Sequence, residues 1–364
     1  WTWDDTAMGG AKAIGKLTRV TVATGGSAGT TGYEENRVYT SDYGYPQDTK
    51  RRIDGAWHWI SHSYDAIGRL RLTRYPNSVS SSSQSSAGSN SSRFTVRHEY
   101  NAGGYLAAVR DETAGTVYWT GVAASAAGAI TREDLANGLT TLQTIDRATG
   151  ALEALTTGPG VLATVQNLEF DWDRAGNLTV RRDLQADKRE EFDYDGLYRL
   201  SQSRRYSTAG GSTPAATDHF TYDNLGNLSN KGGAPGAHTY SNYNYGTRSG
   251  CQNTVIRPHA VYQVTVSGTT RRYCYDGNGN VISVSRASGS GPLAYDSTSW
   301  WVANLAKRIS QGSSAWSEFE YGPDRERIRQ VAQKSANLSE TTLYVGGLYE
   351  KLTRVDNGTT TTAH

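Results

Sequence analysis

The chain has 364 residues, with 37 Lys+Arg against 35 Asp+Glu and a formal net charge of +2. That balance lacks the basic excess of a nucleic-acid binder, and no apolar run approaches the ~20 residues that span a bilayer. Apolar residues make up only 36%, yet 23 Tyr, 9 Trp and 5 Phe exclude global disorder and point to sheets wetted on at least one face.

In chain order, Thr18–Ala23 reads as a strand followed by Gly25-Gly-Ser-Ala-Gly29, a literal Gly-x-Ser-x-Gly match. A nucleophile elbow must run into a helix, which Thr30-Thr-Gly-Tyr33 does not resemble, so a loop is expected. Trp57-His-Trp59 reads as strand, its indoles on one face and His58 and His62 on the other. Four residues at ~3.3 Å each put those histidines roughly 13 Å apart, too far for one metal ion. Then comes Ser63-Tyr-Asp-Ala-Ile-Gly-Arg-Leu70, followed by a Ser-rich insertion over 80–92 that holds the sequon at Asn90. Glu99-Tyr-Asn-Ala-Gly-Gly-Tyr-Leu106 is a looser copy of the same octapeptide. Ala123–Ala129 is too short and Gly-broken for a helix and is expected as loop or strand. Asn137-Gly138 and Asp146…Gly150 mark further hairpins.

The octapeptide returns as Asp171-Trp-Asp-Arg-Ala-Gly-Asn-Leu178, Asp193-Tyr-Asp-Gly-Leu-Tyr-Arg-Leu200, Thr221-Tyr-Asp-Asn-Leu-Gly-Asn-Leu228 and Cys274-Tyr-Asp-Gly-Asn-Gly-Asn-Val281. Beyond Thr298 it weakens, and Trp301, Ala303, Leu305 and Ile309 are expected on one side of a strand. Glu320-Tyr-Gly-Pro-Asp-Arg-Glu-Arg-Ile328 and Tyr344-Val-Gly-Gly-Leu-Tyr349 are late copies, and 357–364 is a polar tail. Where no insertion intervenes the spacing is 22–24 residues, a length that suits one β-hairpin per unit. Two cysteines, Cys251 and Cys274, are too few for a disulfide framework and are expected as free thiols. The chain opens at Trp1 without a signal peptide, as expected of a processed or excised piece.

Each unit carries a turn instruction. In Phe220-Thr-Tyr-Asp-Asn-Leu-Gly226 the two rings share a strand face, Asp accepts hydrogen bonds from the backbone ahead, and Gly takes positive φ cheaply. A type I turn followed by a left-handed Gly closes a three-residue hairpin with a bulge. The expected turn residues are Tyr64, Asp65 and Gly68; Trp172, Asp173 and Gly176; Tyr194 and Asp195; Tyr222, Asp223 and Gly226; and Tyr275, Asp276 and Gly279. The rings are expected to ladder across neighbouring hairpins. Asp276-Gly-Asn-Gly-Asn280 imitates a calcium loop, but an EF-hand needs Gly and Glu where Val281 and Ala287 stand. No catalytic, cofactor or metal residue is therefore expected, and the seven scattered His and the Asp193/Asp195 pair are read as structural.

The repeated Phe/Tyr-x-Tyr-Asp-x-x-Gly-Arg/Asn-Leu resembles the YD repeats of rearrangement-hotspot (Rhs) proteins, related to toxin-complex C components and teneurins. The resemblance covers Gly15-Lys-Leu17 to Tyr349. It implies an all-β fold in which a long antiparallel hairpin sheet spirals into a hollow shell around a C-terminal toxin, in a secreted or cell-surface bacterial protein. The family's self-cleaving core has an Asp-Pro signature, and no Asp-Pro occurs here, so residues 1–364 are expected to form one wall region without core or toxin domain. A non-enzymatic scaffold is thus expected, with toxin cargo and further shell segments as partners and self-association through exposed edge strands. The alternative is an adhesion or carbohydrate-binding β-repeat protein with glycan partners, for which Tyr240, Tyr243 and Tyr245 cluster but divide between faces.

Overall fold

A computed structural model describes residues 1–10, 12–23, 31–77, 93–233, 239–246, 250–251, 257–289 and 296–364. The Gly25–Gly29 match, the 80–92 insertion with its sequon, and His238 lie outside them. Among the described residues there are 29 strands and one helical turn, Thr6–Gly9, capped by Asp5 accepting from the Met8 N–H. The fold is all-β, and every pairing is antiparallel between strands that follow one another in the chain. Thr31–Tyr39 pairs with Pro46–Ile53, for example, and that strand with Ala56–Tyr64. The chain divides into two compact units, one of residues 1–118 and 305–364, the other of residues 119–304.

In the first unit the strands Thr31–Tyr39, Pro46–Ile53 and Ala56–Tyr64 face the strands Arg327–Ser335, Leu338–Val345 and Tyr349–Asp356. Tyr33, Ile53 and Ile60 meet Ile328, Leu343 and Val345 in the main apolar cluster, with Tyr349 packed against it. Gly346, at φ 61°, belongs to this seam, because a Cβ there would stand 2.4 Å from Ile60 Cδ1. A charged network borders the cluster. Glu35 is fully buried and accepts from Tyr33 Oη at 2.5 Å, Arg51 Nε at 2.7 Å and Arg37 Nε at 2.5 Å. Arg51 reaches on to Glu326 at 3.2 Å and Arg37 to Asp324. Burial pushes the Glu35 carboxyl up, but Arg51, Tyr33 and Arg37 outweigh it and hold the group below the usual carboxylate range.

In the second unit the hairpins from Leu139–Ile145 to Val281–Ser288 run in sequence order, most of their side chains half-buried. Cross-strand ion pairs line one face. Arg182 lies between Glu169 and Asp171, and Arg204 bridges Glu191 and Asp193. Such half-exposed pairs each contribute about 0–1 kcal/mol.

Two expectations fail here. Cys251 and Cys274 are not free thiols: their Cα atoms lie 5.5 Å apart and their sulfurs are bonded. Their separation of 23 residues is about one repeat, and stacking one unit on the next brings them within bridging range. The strand expected through Trp301, Ala303, Leu305 and Ile309 is instead a turn at 301–304 between Ser297–Trp300 and Ala306–Gln311. The Asn304 N–H donates to the Trp301 carbonyl at 3.0 Å, with Asn304 at φ 58°. Trp300 therefore stands where other units have Tyr, and Asn304 where they have Gly. Ala123–Ala129 hides another copy, in which Ser125 accepts from the Ala129 N–H at 3.2 Å and Gly128 donates to the Ser125 carbonyl at 3.0 Å.

Candidate functional site: repeat turns and their aromatic clamps

The five full copies share one hydrogen-bond plan. At the Thr221–Leu228 unit, Asp223 Oδ1 accepts from the Leu225 and Asn227 N–H groups at 2.9 and 2.8 Å, and Oδ2 from Asn227 Nδ2 at 2.8 Å. Asp173 and Asp276 make the same three bonds, to Ala175 and Asn177 and to Asn278 and Asn280. Asp65 and Asp195 do so with Arg69 and Arg199, whose Nε replaces the amide at 2.7 Å. The Asp N–H pairs with the carbonyl four residues on, and Gly68, Gly176, Gly226 and Gly279 donate to the Asp carbonyl with φ between 83° and 92°. Tyr198 takes the Gly position at φ 59°. Every copy has its bulge at the aromatic residue, as at Thr221/Tyr222. Side-chain donation from Asn227 comes first among the causes that hold the Asp223 carboxyl below its usual range.

The aromatic residue does something local patterning does not reveal. Its polar tip crosses to the hairpin before it and donates to a main-chain carbonyl. Tyr194 Oη reaches Leu178 O at 2.8 Å, Tyr222 Oη reaches Leu200 O at 2.8 Å, and Tyr245 Oη reaches Leu228 O at 2.8 Å. Tyr100 holds Leu70 O and Tyr275 holds Val261 O, at 2.8 and 2.6 Å. Trp172 and Trp300 do the same through Nε1, to Leu152 O and Val281 O, both at 2.8 Å. Tyr64 reaches Pro46 O at 2.8 Å, and Tyr39, within a longer turn, reaches Leu17 O at 2.7 Å. Each clamp satisfies a carbonyl at the start of a strand, or two residues ahead of it at Val261, and is worth ~0.5–1.5 kcal/mol. Where the turn carries Arg, its guanidinium stacks on the next ring: Arg69 over Tyr100 and Arg199 over Tyr222, each at 4.4 Å.

This replaces most of the expected ring ladder. Direct ring contacts are few among the described residues: Tyr43–Tyr45–Tyr64 at 5.4 and 5.0 Å, and Phe94–Tyr118, about one repeat apart, at 6.0 Å are examples. Tyr243 and Tyr245, two residues apart and so on one face, stack at 6.2 Å with planes 7° apart, and Asn242 at φ 53° stands between them and Tyr240.

The remaining candidate groups are taken up singly. Asp193 pairs with Arg204 and Asp195 with Arg199. His259 Nδ1 meets Asn227 Oδ1 at 2.7 Å, His98 meets Thr73, and His58 is buried against Tyr349. No three His, Cys, Asp or Glu among the described residues are grouped to hold a metal ion. A surface cavity of about 450 Å³ in the second unit is lined by Arg181, Arg205, Asp183 and Glu190 among others. Arg181 is paired with Glu190 and Arg205 with Asp218. No helix among the described residues is long and apolar enough to cross a membrane.

No protein-family model matches the chain, and the search of curated proteins finds no match. Solved structures do match. A mutant Tc holotoxin pore of Photorhabdus luminescens aligns over 97% of this chain and 17% of its own, with a TM-score of 0.57 and 15% identity. The TcdB2–TccC3 complex aligns over 94% of this chain and 21% of its own, with a TM-score of 0.51 and 13% identity. The chain thus spans about a fifth of the length of the solved chains it matches. At the level of fold, it has the architecture of Rhs-type YD-repeat proteins of toxin complexes.

Proposed function

We propose that the chain is a wall element of a secreted Rhs-type shell: it encloses and helps deliver a toxin polypeptide and performs no catalysis itself. One observation carries this reading. The recurrent groups that most invite a chemical role are spent inside the wall, each turn Asp on its own hairpin and each aromatic tip on the backbone of the hairpin before it. A sheet built in this way joins unit to unit through main-chain acceptors and engages both oxygens of each turn carboxylate within its own hairpin. The likeness to toxin-complex structures supports the same reading at the level of architecture.

The test uses the full-length parent protein with its cargo. Under limited proteolysis the cargo should survive until the repeat strands are cut. Digestion of the cargo as fast as when it is expressed alone would refute enclosure.

A further inference from the structure

The seam of the first unit has a histidine along its flank that the turn and clamp plan does not use. His58 is 2% exposed, its ring centroid lies 5.9 Å from that of Tyr349, and its Nε2 is buried with no hydrogen-bond partner. Charged and titratable groups reach it from each element packed there. On Pro46–Ile53, its directly opposed residue is Arg51, committed to Glu35 and Glu326. On Thr31–Tyr39 stand Tyr33 and Glu35, bonded to each other. Tyr349–Asp356 contributes Tyr349 and the cation of Lys351. On its own strand His62 follows on the same face. The carboxylates in this set are engaged by arginines, so a proton on the ring would place a positive charge beside two cations in an apolar setting.

We propose that His58 is an acid-sensitive latch: protonation of its ring releases residues 31–64 from residues 327–356 and opens the first unit.

Burial first, and Lys351 second, push His58 down to about 4. Because the folded value lies below the unfolded one, the latch is fully closed above about pH 6.5 and loosens as pH falls from there through about 4. The opening equilibrium should rise by about 30-fold at pH 5 and by at most about 300-fold in stronger acid. Burial raises Glu326, so its protonation acts in the opposite sense, and Glu35, held low, yields only in stronger acid.

The experiment is native-state hydrogen exchange on the intact chain at pH 7.5 and pH 5, corrected for intrinsic rates. Residues 31–64 and 327–356 should together lose protection at pH 5. His58→Gln should abolish that difference, whereas His98→Gln, at a ring also lowered by burial but on Thr95–Tyr100, outside both segments, should keep it. Equal protection at both pH values, or an unchanged pH difference in H58Q, overturns the latch. Should H58Q not fold, NMR titration of the wild-type rings decides: a His58 midpoint near 4 supports the proposal and one near 6.5 overturns it.

Discussion

Opening the Cys251–Cys274 bond is the sharpest available perturbation of the second unit. The bond closes a loop of 23 residues. The chain-entropy relation gives a loss of about 11 cal/mol/K for a loop of this size, or about 3.4 kcal/mol at 25 °C. Cys274 lies on Thr269–Tyr275, which pairs with both Gln263–Val266 and Val281–Ser288, so the cost should fall on those three strands. Hydrogen exchange compares oxidised wild type, wild type in reductant, and Cys251→Ser. The last two should open the three strands roughly 300-fold more often than the first, while residues of the first unit exchange unchanged. Equal exchange in the oxidised and reduced proteins would refute the argument. So would two titratable thiols in the denatured, unreduced chain, which would mean that the bond does not form.

Two further outcomes test the wall itself. Tyr222→Phe removes the donor to Leu200 O and should cost about 1 kcal/mol in urea unfolding followed on the second unit, whereas Phe at the exposed Tyr198 should be neutral. Arg51→Met strips the buried Glu35 of a principal cation and should destabilise the first unit by about 3–5 kcal/mol, read from its urea midpoint. Replacing Glu35 by Gln in the same chain should restore part of the loss.

What could be read from the sequence was what lies close along the chain. Asp65, Asp173, Asp195, Asp223 and Asp276 close their turns with groups two to four residues away, so octapeptide chemistry predicts their partners. The same logic explains the misses. Trp300 and Asn304 keep the turn geometry, but neither Asp nor Gly marks it, and in the alanine-rich copy Gly128 is kept while Ser125 stands for Asp. The acceptor of each phenol lies a hairpin away in the main chain, which no side-chain pattern encodes. Tyr245 is the clearest instance: Gly246 rather than Asp follows it, yet it clasps Leu228 as Tyr222 clasps Leu200. The Glu35–Arg51–Glu326 contact spans nearly 300 positions, and nothing in the local spacing of those residues announces it. Composition points to free thiols at Cys251 and Cys274, whereas their separation of 23 residues, about one repeat, is what brings them together.

The clamps have a consequence for how such a chain changes over generations. Tyr and Trp tips grip peptide oxygens, and a peptide oxygen is the same whatever residue bears it: Leu178, Val281 and Pro46 serve alike. The clamp bond itself therefore asks nothing of the neighbour's side chains, even where Arg69 or Arg199 adds a stacking contact. Whole hairpins can be duplicated, lost or exchanged, and the incoming ring still finds a grip.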